Sequence, residues 1–138
     1  MECPFCKIDN ERNRIVKEGK NVFVMLSNPH LMLGHLLVIP KRHVQKLSEL
    51  TNEERRELLD MIVEFQEKIL ERVAKGCNVK QNYMPFINDN KLKISHLHIH
   101  LYPRNFKDEL YNKCEKFQDD IFKDLSAEEA DRFLKVFK

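Results

Sequence analysis

The segment Ser95-His96-Leu97-His98-Ile99-His100-Leu101-Tyr102-Pro103 constrains this chain more than any other. Strict alternation of polar and apolar side chains is the pattern of a half-buried strand. In a strand, alternate side chains point to opposite faces, so His96, His98 and His100 share one face at about 6.6 Å intervals. Leu97, Ile99 and Leu101 then turn to the core. Half of the chain's six histidines fall in this one stretch. An array of imidazoles is a poor structural choice, because it loses hydration when buried and contributes little to a core. It suits chemistry on anions or metals, since neutral imidazole is a nucleophile, a base or a ligand. A single metal held by all three does not fit. The outer pair would sit about 13 Å apart on a straight strand, and Zn–N bonds are only about 2 Å.

The rest of the sequence must build a body for that strand. At 138 residues the chain has the size of one domain, since domains usually run about 100–200 residues. Apolar residues at 42% are enough for a core. Val22–Leu26 reads as a strand, and His35–Ile39 as another, entered at Gly34 and stopped by Pro40. Thr51-Asn52-Glu53-Glu54 is a capping box. Leu58, Met61, Ile62, Phe65, Ile69, Leu70 and Val73 follow at helical spacing, with Gly76 placed to end the helix. Residues 78–87 read as a further strand, confined in part to an edge by Pro85. Asn88-Asp89-Asn90 reads as a turn.

Beyond Pro103 there is no Gly or Pro. Phe106, Leu110, Cys114, Phe117, Ile121 and Leu125 predict one amphipathic helix. Ser126 with Glu129 caps another, carrying Ala130, Phe133, Leu134 and Phe137. The whole reads as an α+β domain, an antiparallel sheet with helices on it. Residues 1–104 form the main domain, and residues 105–138 a helical extension packed on it.

Charge narrows the partners. Lys plus Arg is 24 and Asp plus Glu is 22, a net charge of +2, without the clustered basic excess of a nucleic-acid binder. No apolar run approaches the roughly 20 residues of a membrane span. The start, Met1 to Cys6, lacks the basic and apolar regions of a secretory signal. A cytoplasmic protein is expected, with the nucleus as an alternative. In either compartment the four cysteines are thiols or metal ligands rather than disulfides.

Cys3-Pro4-Phe5-Cys6 is half of a tetrahedral zinc site. Taken alone it leaves a redox couple or two ordinary thiols open. His43 and His96 are candidates to complete it. Cys77 and Cys114 have no partner motif and read as packing residues.

These blocks resemble the histidine triad superfamily of nucleotide hydrolases and transferases. His96-Leu97-His98-Ile99-His100-Leu101-Tyr102 matches its His-φ-His-φ-His-φ-φ signature, where φ is apolar. Gly34-His35-Leu36-Leu37-Val38-Ile39-Pro40-Lys41 is similar to its second hallmark. Cys3-Pro4-Phe5-Cys6-Lys7-Ile8 is similar to its opening segment. The resemblance implies a five-stranded antiparallel sheet with a long helix. It also implies a homodimer whose sheets join into one of ten strands. It implies hydrolysis of a dinucleoside polyphosphate or a nucleoside phosphoramidate at the α-phosphorus, releasing a nucleoside monophosphate.

By position in the family pattern, His98 is the nucleophile that forms a nucleotidyl-histidine. His100, His35 and His96 are the remaining histidines of the catalytic group, with His100 and His35 on the phosphate. Phe5 and Ile8 line the base pocket, Ser27 and Asn28 lie where ribose is gripped, and Asn88 lies on the phosphate side. Cys3, Cys6, His43 and His96 are the implied ligands of a structural zinc. Three departures stand out, one of them a loop from Asn88 to His96 about three residues shorter than the commonest family pattern. Ser27 replaces an acidic or amide residue that grips ribose in many members. Lys91-Leu92, followed by Lys93, replaces Gly-Gln. Lys91 and Lys93 read as a solvated basic loop or as contacts to a polyphosphate leaving group. The departures motivate a second expectation, a nucleotide- and zinc-binding interaction module without turnover.

Overall fold

The computed structural model describes residues 2–138. The chain divides into two compact units, one ending at Phe106 and the other running from Lys107 to Lys138. The first unit is a five-stranded antiparallel sheet with one long helix. Its strands are β1 (Ile15–Glu18), β2 (Val22–Leu26), β3 (Leu36–Pro40), β4 (Gly76–Gln81) and β5 (Ile99–Arg104). They are ordered β1-β2-β3-β5-β4 across the sheet. Helix α1 (Asn52–Arg72) joins β3 to β4.

Each strand's alternation decides which layer it serves. Val22, Val24, Leu36, Val38, Ile99 and Leu101 pack with Leu58, Met61, Phe65 and Ile69 of α1. On the opposite face Phe23, Met25, Leu37 and Ile39 form a second core with Phe5 of the N-terminal segment. Strands β2 and β3 are thus covered on both sides. That explains why β2 and β3 are continuous apolar runs, whereas the histidine segment alternates.

Gly34 turns the chain into β3 at φ +83°, a left-handed conformation open to glycine at little cost. Thr51 caps α1, its hydroxyl accepting from the Glu54 N–H while Glu54 accepts from the Thr51 N–H. The helix ends at Arg72, short of Gly76, because Gly76 serves the next strand. It lies opposite Arg104 in the β4–β5 ladder, where a Cβ would come within 3.3 Å of the Arg104 carbonyl oxygen.

Three expectations are corrected. β1 was missed in the sequence. β4 stops at Gln81, and the segment up to Ser95 is irregular, so the strand does not extend to residue 87. The triad enters regular pairing only at Ile99, leaving His96 at a bend and His98 on the unpaired approach to the strand.

In the second unit the expected single helix is broken. α2 (Glu109–Lys113) stops at Cys114, whose φ −133° and ψ −60° are not helical. A 3-10 turn follows over Glu115–Asp120. α3 (Ala127–Phe137) starts at the predicted Ser126 cap. No residue from Lys107 onward is buried, and apolar periodicity without a packed face does not hold a long helix together.

Candidate active site and metal centre

The site is built where the N-terminal segment crosses the sheet face opposite α1. Five histidines meet there in two groups, and in each group at least one ring is oriented by a hydrogen bond to backbone.

His98 lies within 2.6 Å of the His96 carbonyl oxygen through Nδ1. A carbonyl only accepts, so Nδ1 carries the proton and Nε2 keeps its lone pair. Phe5 stands edge-on to this ring at 5.2 Å between centroids. His100 follows at 4.8 Å from His98.

His35 accepts at Nδ1 from the Leu31 N–H, at 3.1 Å. Its Nε2 therefore bears hydrogen and donates to His100 Nδ1, at 2.9 Å. The His100 proton is thereby placed on Nε2, which becomes a donor. Tyr102 stacks on His100 at 5.3 Å and sits 4.6 Å from His35. Burial, then the neighbouring His30 and His98, lowers His35 to about 4. Burial, then His98, His35 and Lys80, lowers His100 to about 3. His98 is lowered too, chiefly by burial. Near neutral pH the face is uncharged at its centre, with one nucleophilic lone pair beside one ring N–H donor.

His96 points elsewhere. Its ring is 1% exposed, and Nε2 donates to the Pro40 carbonyl at 2.8 Å. Nδ1 is left as a lone pair, 3.4 Å from Cys3 Sγ, 3.5 Å from Cys6 Sγ and 3.1 Å from His43 Nδ1. The ligand atoms of Cys3, Cys6, His43 and His96 all lie within 4.8 Å of one another. Tetrahedral zinc with N and S ligands separates its donors by about 3.3–3.8 Å. The donor set and its spacing fit that ion.

The scaffold behind this cluster is polar and closed. The Arg42 guanidinium bonds both oxygens of the buried Glu54 carboxylate and the Glu49 carbonyl. Arg42, helped by Thr51, lowers Glu54 to about 2. The segment carrying His43 is thereby tied to the start of α1. Leu97 N–H donates to the Val44 carbonyl at 2.6 Å and ties the same segment to the triad.

The remaining expected residues divide. Phe5 is buried and Ile8 packs with it. A cavity of about 360 Å³ opens beside them, lined also by Ile15, Phe23, Asn10, Glu18 and Lys41. The Ser27 hydroxyl donates to the Pro29 carbonyl at 2.7 Å, and its N–H donates to the His35 carbonyl. Asn28 is exposed beside it. Asn88 is exposed in the loop after β4, its carbonyl accepting from Asn90. Among the described residues no hydrogen bond joins Asn88 to the histidines. Sequence reasoning gave no site role to Tyr102 or Lys80. The alternation that aligns the histidines also puts Tyr102 on their face, whereas the place of Lys80 follows only from cross-strand register, which a single sequence does not display.

A family profile described as the HIT domain matches residues 9–107. The chain belongs to the histidine triad family. Among named relatives, an AP-4-A phosphorylase of Mycobacterium tuberculosis is 31% identical over 73% of this chain, which spans 53% of that protein's length. An adenosine 5'-monophosphoramidase of Schizosaccharomyces pombe is 28% identical over 75% of each chain. A HIT family protein of Bacillus subtilis shares the fold, with a TM-score of 0.76 at 24% identity over 99% of this chain and 95% of its own. A Zn-bound histidine triad protein of Mycobacterium smegmatis superposes with a TM-score of 0.64 at 27% identity over 80% of each chain.

Proposed function

We propose that this protein is a nucleotide hydrolase, with His98 as nucleophile toward the α-phosphorus of a dinucleoside polyphosphate or a nucleoside phosphoramidate. The carrying observation is the His98 Nδ1–H bond to the His96 carbonyl. It presents an unprotonated Nε2 on the face where His100 offers an N–H. The phosphorylase and phosphoramidase relatives support the same reading at the level of the family.

In the first step the Nε2–phosphorus bond forms and the bond from phosphorus to the leaving group breaks. The leaving group departs with the electron pair, a polyphosphate as its anion and an amine with a proton taken up from solvent. His98 becomes a cationic nucleotidyl-imidazolium, still held by the His96 carbonyl. In the second step water attacks phosphorus, the N–P bond breaks and its electron pair returns to Nε2. The water proton passes to solvent and the nucleoside monophosphate leaves. His100, kept in the donor tautomer by His35, hydrogen-bonds a phosphoryl oxygen in both steps. A covalent intermediate divides one difficult displacement into two easier ones. The base lies against Phe5 and Ile8, with ribose near Ser27 and Asn28.

Zinc is proposed at Cys3, Cys6, His43 and His96. Four protein ligands leave no open position, so the ion would be structural. A cytoplasmic setting keeps such thiols reduced. No helix among the described residues is long and apolar enough to cross a membrane.

A homodimer is proposed through β4, which ends the sheet. Val79 is half-exposed there, beside a mostly apolar cavity lined by Leu47, Leu58, Leu59 and Ile62. Edge pairing of two copies satisfies an open strand and covers that surface.

His98→Ala tests the chemistry. It is expected to lower turnover by about 10⁴-fold or more while leaving nucleotide binding in place, as read by calorimetry. Turnover equal to the parent's removes the mechanism. One observation favours the binding-module reading. The Ser27 hydroxyl is already engaged with its own backbone and offers ribose little. Tight nucleotide binding by the parent without release of monophosphate is the result that would select that reading.

A further inference from the structure

The catalytic face carries a cation that the mechanism above leaves unassigned. β4 runs antiparallel to β5 with Lys80 opposite His100 and Asn78 opposite Tyr102. Directly opposed residues of such a pair project to the same face, their Cβ atoms about 4.5–5.5 Å apart. Lys80 therefore rises beside His100, while its neighbours Val79 and Gln81 turn toward α1 and line the cavity there. The placement is felt electrostatically, since Lys80 is one of the charges opposing protonation of His100.

Two other lysines beside the site, Lys41 and Lys93, are already answered by carboxylates. Lys41 pairs with Glu18 at 2.8 Å. Lys93, expected from the sequence as a possible contact to leaving phosphates, is held by Asp89 at 3.2 Å and by the Ser95 hydroxyl at 2.7 Å. Its ammonium is occupied in closing the Asp89–Ser95 turn. Lys80 is exposed and makes no ion pair among the described residues. It is the cation that β4 sets against the phosphate-facing histidine.

The two leaving-group classes make different demands. A polyphosphate departs as an oxyanion, with charge growing on it in a loose transition state. A fixed ammonium nearby lowers that barrier. An amine departs by taking a proton and brings no further phosphates for an ammonium to bind. We propose that Lys80 is a specificity-determining residue whose ammonium binds the phosphates beyond the α-phosphorus, biasing the site toward polyphosphate leaving groups over amines. The inference rests on the reading that His98 attacks the α-phosphorus.

The test compares parent, Lys80→Met and Lys80→Arg on diadenosine tetraphosphate and on adenosine 5'-phosphoramidate. Lys80→Met is expected to lower kcat/KM for the tetraphosphate by about 10- to 100-fold, the range of a lost charge-assisted hydrogen bond, and to leave the phosphoramidate within about twofold. Lys80→Arg is expected to restore most of the preference. Equal losses on both substrates, or an unchanged ratio, overturn the assignment.

Calorimetry with a non-hydrolysable adenosine triphosphate analogue and with AMP separates the two readings. If the parent turns over neither substrate but Lys80→Met erases a preference for the triphosphate analogue, the phosphate contact of Lys80 stands, and the hydrolase reading falls together with the bias among leaving groups. If turnover is normal and neither ratio moves, the hydrolase reading stands and the Lys80 assignment falls. A parent that binds neither nucleotide overturns both.

Discussion

At the scale of single residues, each imidazole is told by a neighbour which nitrogen to protonate. The His96 carbonyl instructs His98, the Leu31 N–H instructs His35 and through it His100, and the Pro40 carbonyl instructs His96. The arrangement has a measurable dependence on pH. His35 lies at about 4 and His100 at about 3, against about 6.5 for a free histidine. Between these values the unfolded chain binds more protons than the folded one. Stability contributed by the pair is therefore complete above pH of about 6.5 and declines as pH falls toward the folded values. Urea unfolding of the parent at pH of about 7 and about 5 should show this loss, and His35→Asn should show a smaller slope. An identical slope in the two proteins would refute the assignment. The shared face of the triad was legible from residue types and spacing, while the part each ring plays was implied only by the family resemblance. The tautomers were not legible, because the Leu31-to-His35-to-His100 chain depends on a turn that brings residue 31 back onto residue 35.

At the scale of elements, the N-terminal segment behaves as a clasp. Phe5 lies under it against Phe23, Met25, Leu37 and Ile39, and Cys3 and Cys6 reach His43 and His96 at its end. Removing the metal should loosen this element first. Chelation is expected to lower Tm by about 5 °C or more, and Cys3→Ser should give the same fall together with loss of bound zinc. A zinc-to-protein ratio near zero in protein never exposed to chelator would end the proposal. The elements whose caps are local were readable in the sequence, as Thr51 and Ser126 show. Those decided by distant partners were not. Gly76 carries a helix-stop signal, yet it is used to let β4 approach Arg104. The histidine pattern predicts a strand from its first residue. His96 instead gives its ring to Pro40 and its carbonyl to His98, and regular pairing begins only at Ile99. The apolar repeat from Phe106 to Leu125 promises a helix, but no residue of that stretch is buried.

At the scale of the whole molecule, the two sheet edges differ. β1 is short, exposed throughout and joined to its neighbour with an irregular register, a device that discourages further pairing. β4 has no such protection and is the edge proposed to meet a second copy. Val79→Asp places like charges across that two-fold. It should weaken self-association at least tenfold, about 1.4 kcal/mol, as measured by sedimentation, with helix content unchanged. An unaltered sedimentation profile would rule the β4 interface out.

The double covering of β2 and β3 limits how such a protein changes. A new side chain in either strand disturbs one of two packed layers, so the middle of the sheet is nearly closed to experiment by mutation. Variation must arrive from the periphery instead: the clasp, the turn at Ser27, the loop before the triad, and the outermost strand that carries Lys80. Such a frame leaves its margins free to vary while the centre stays the same.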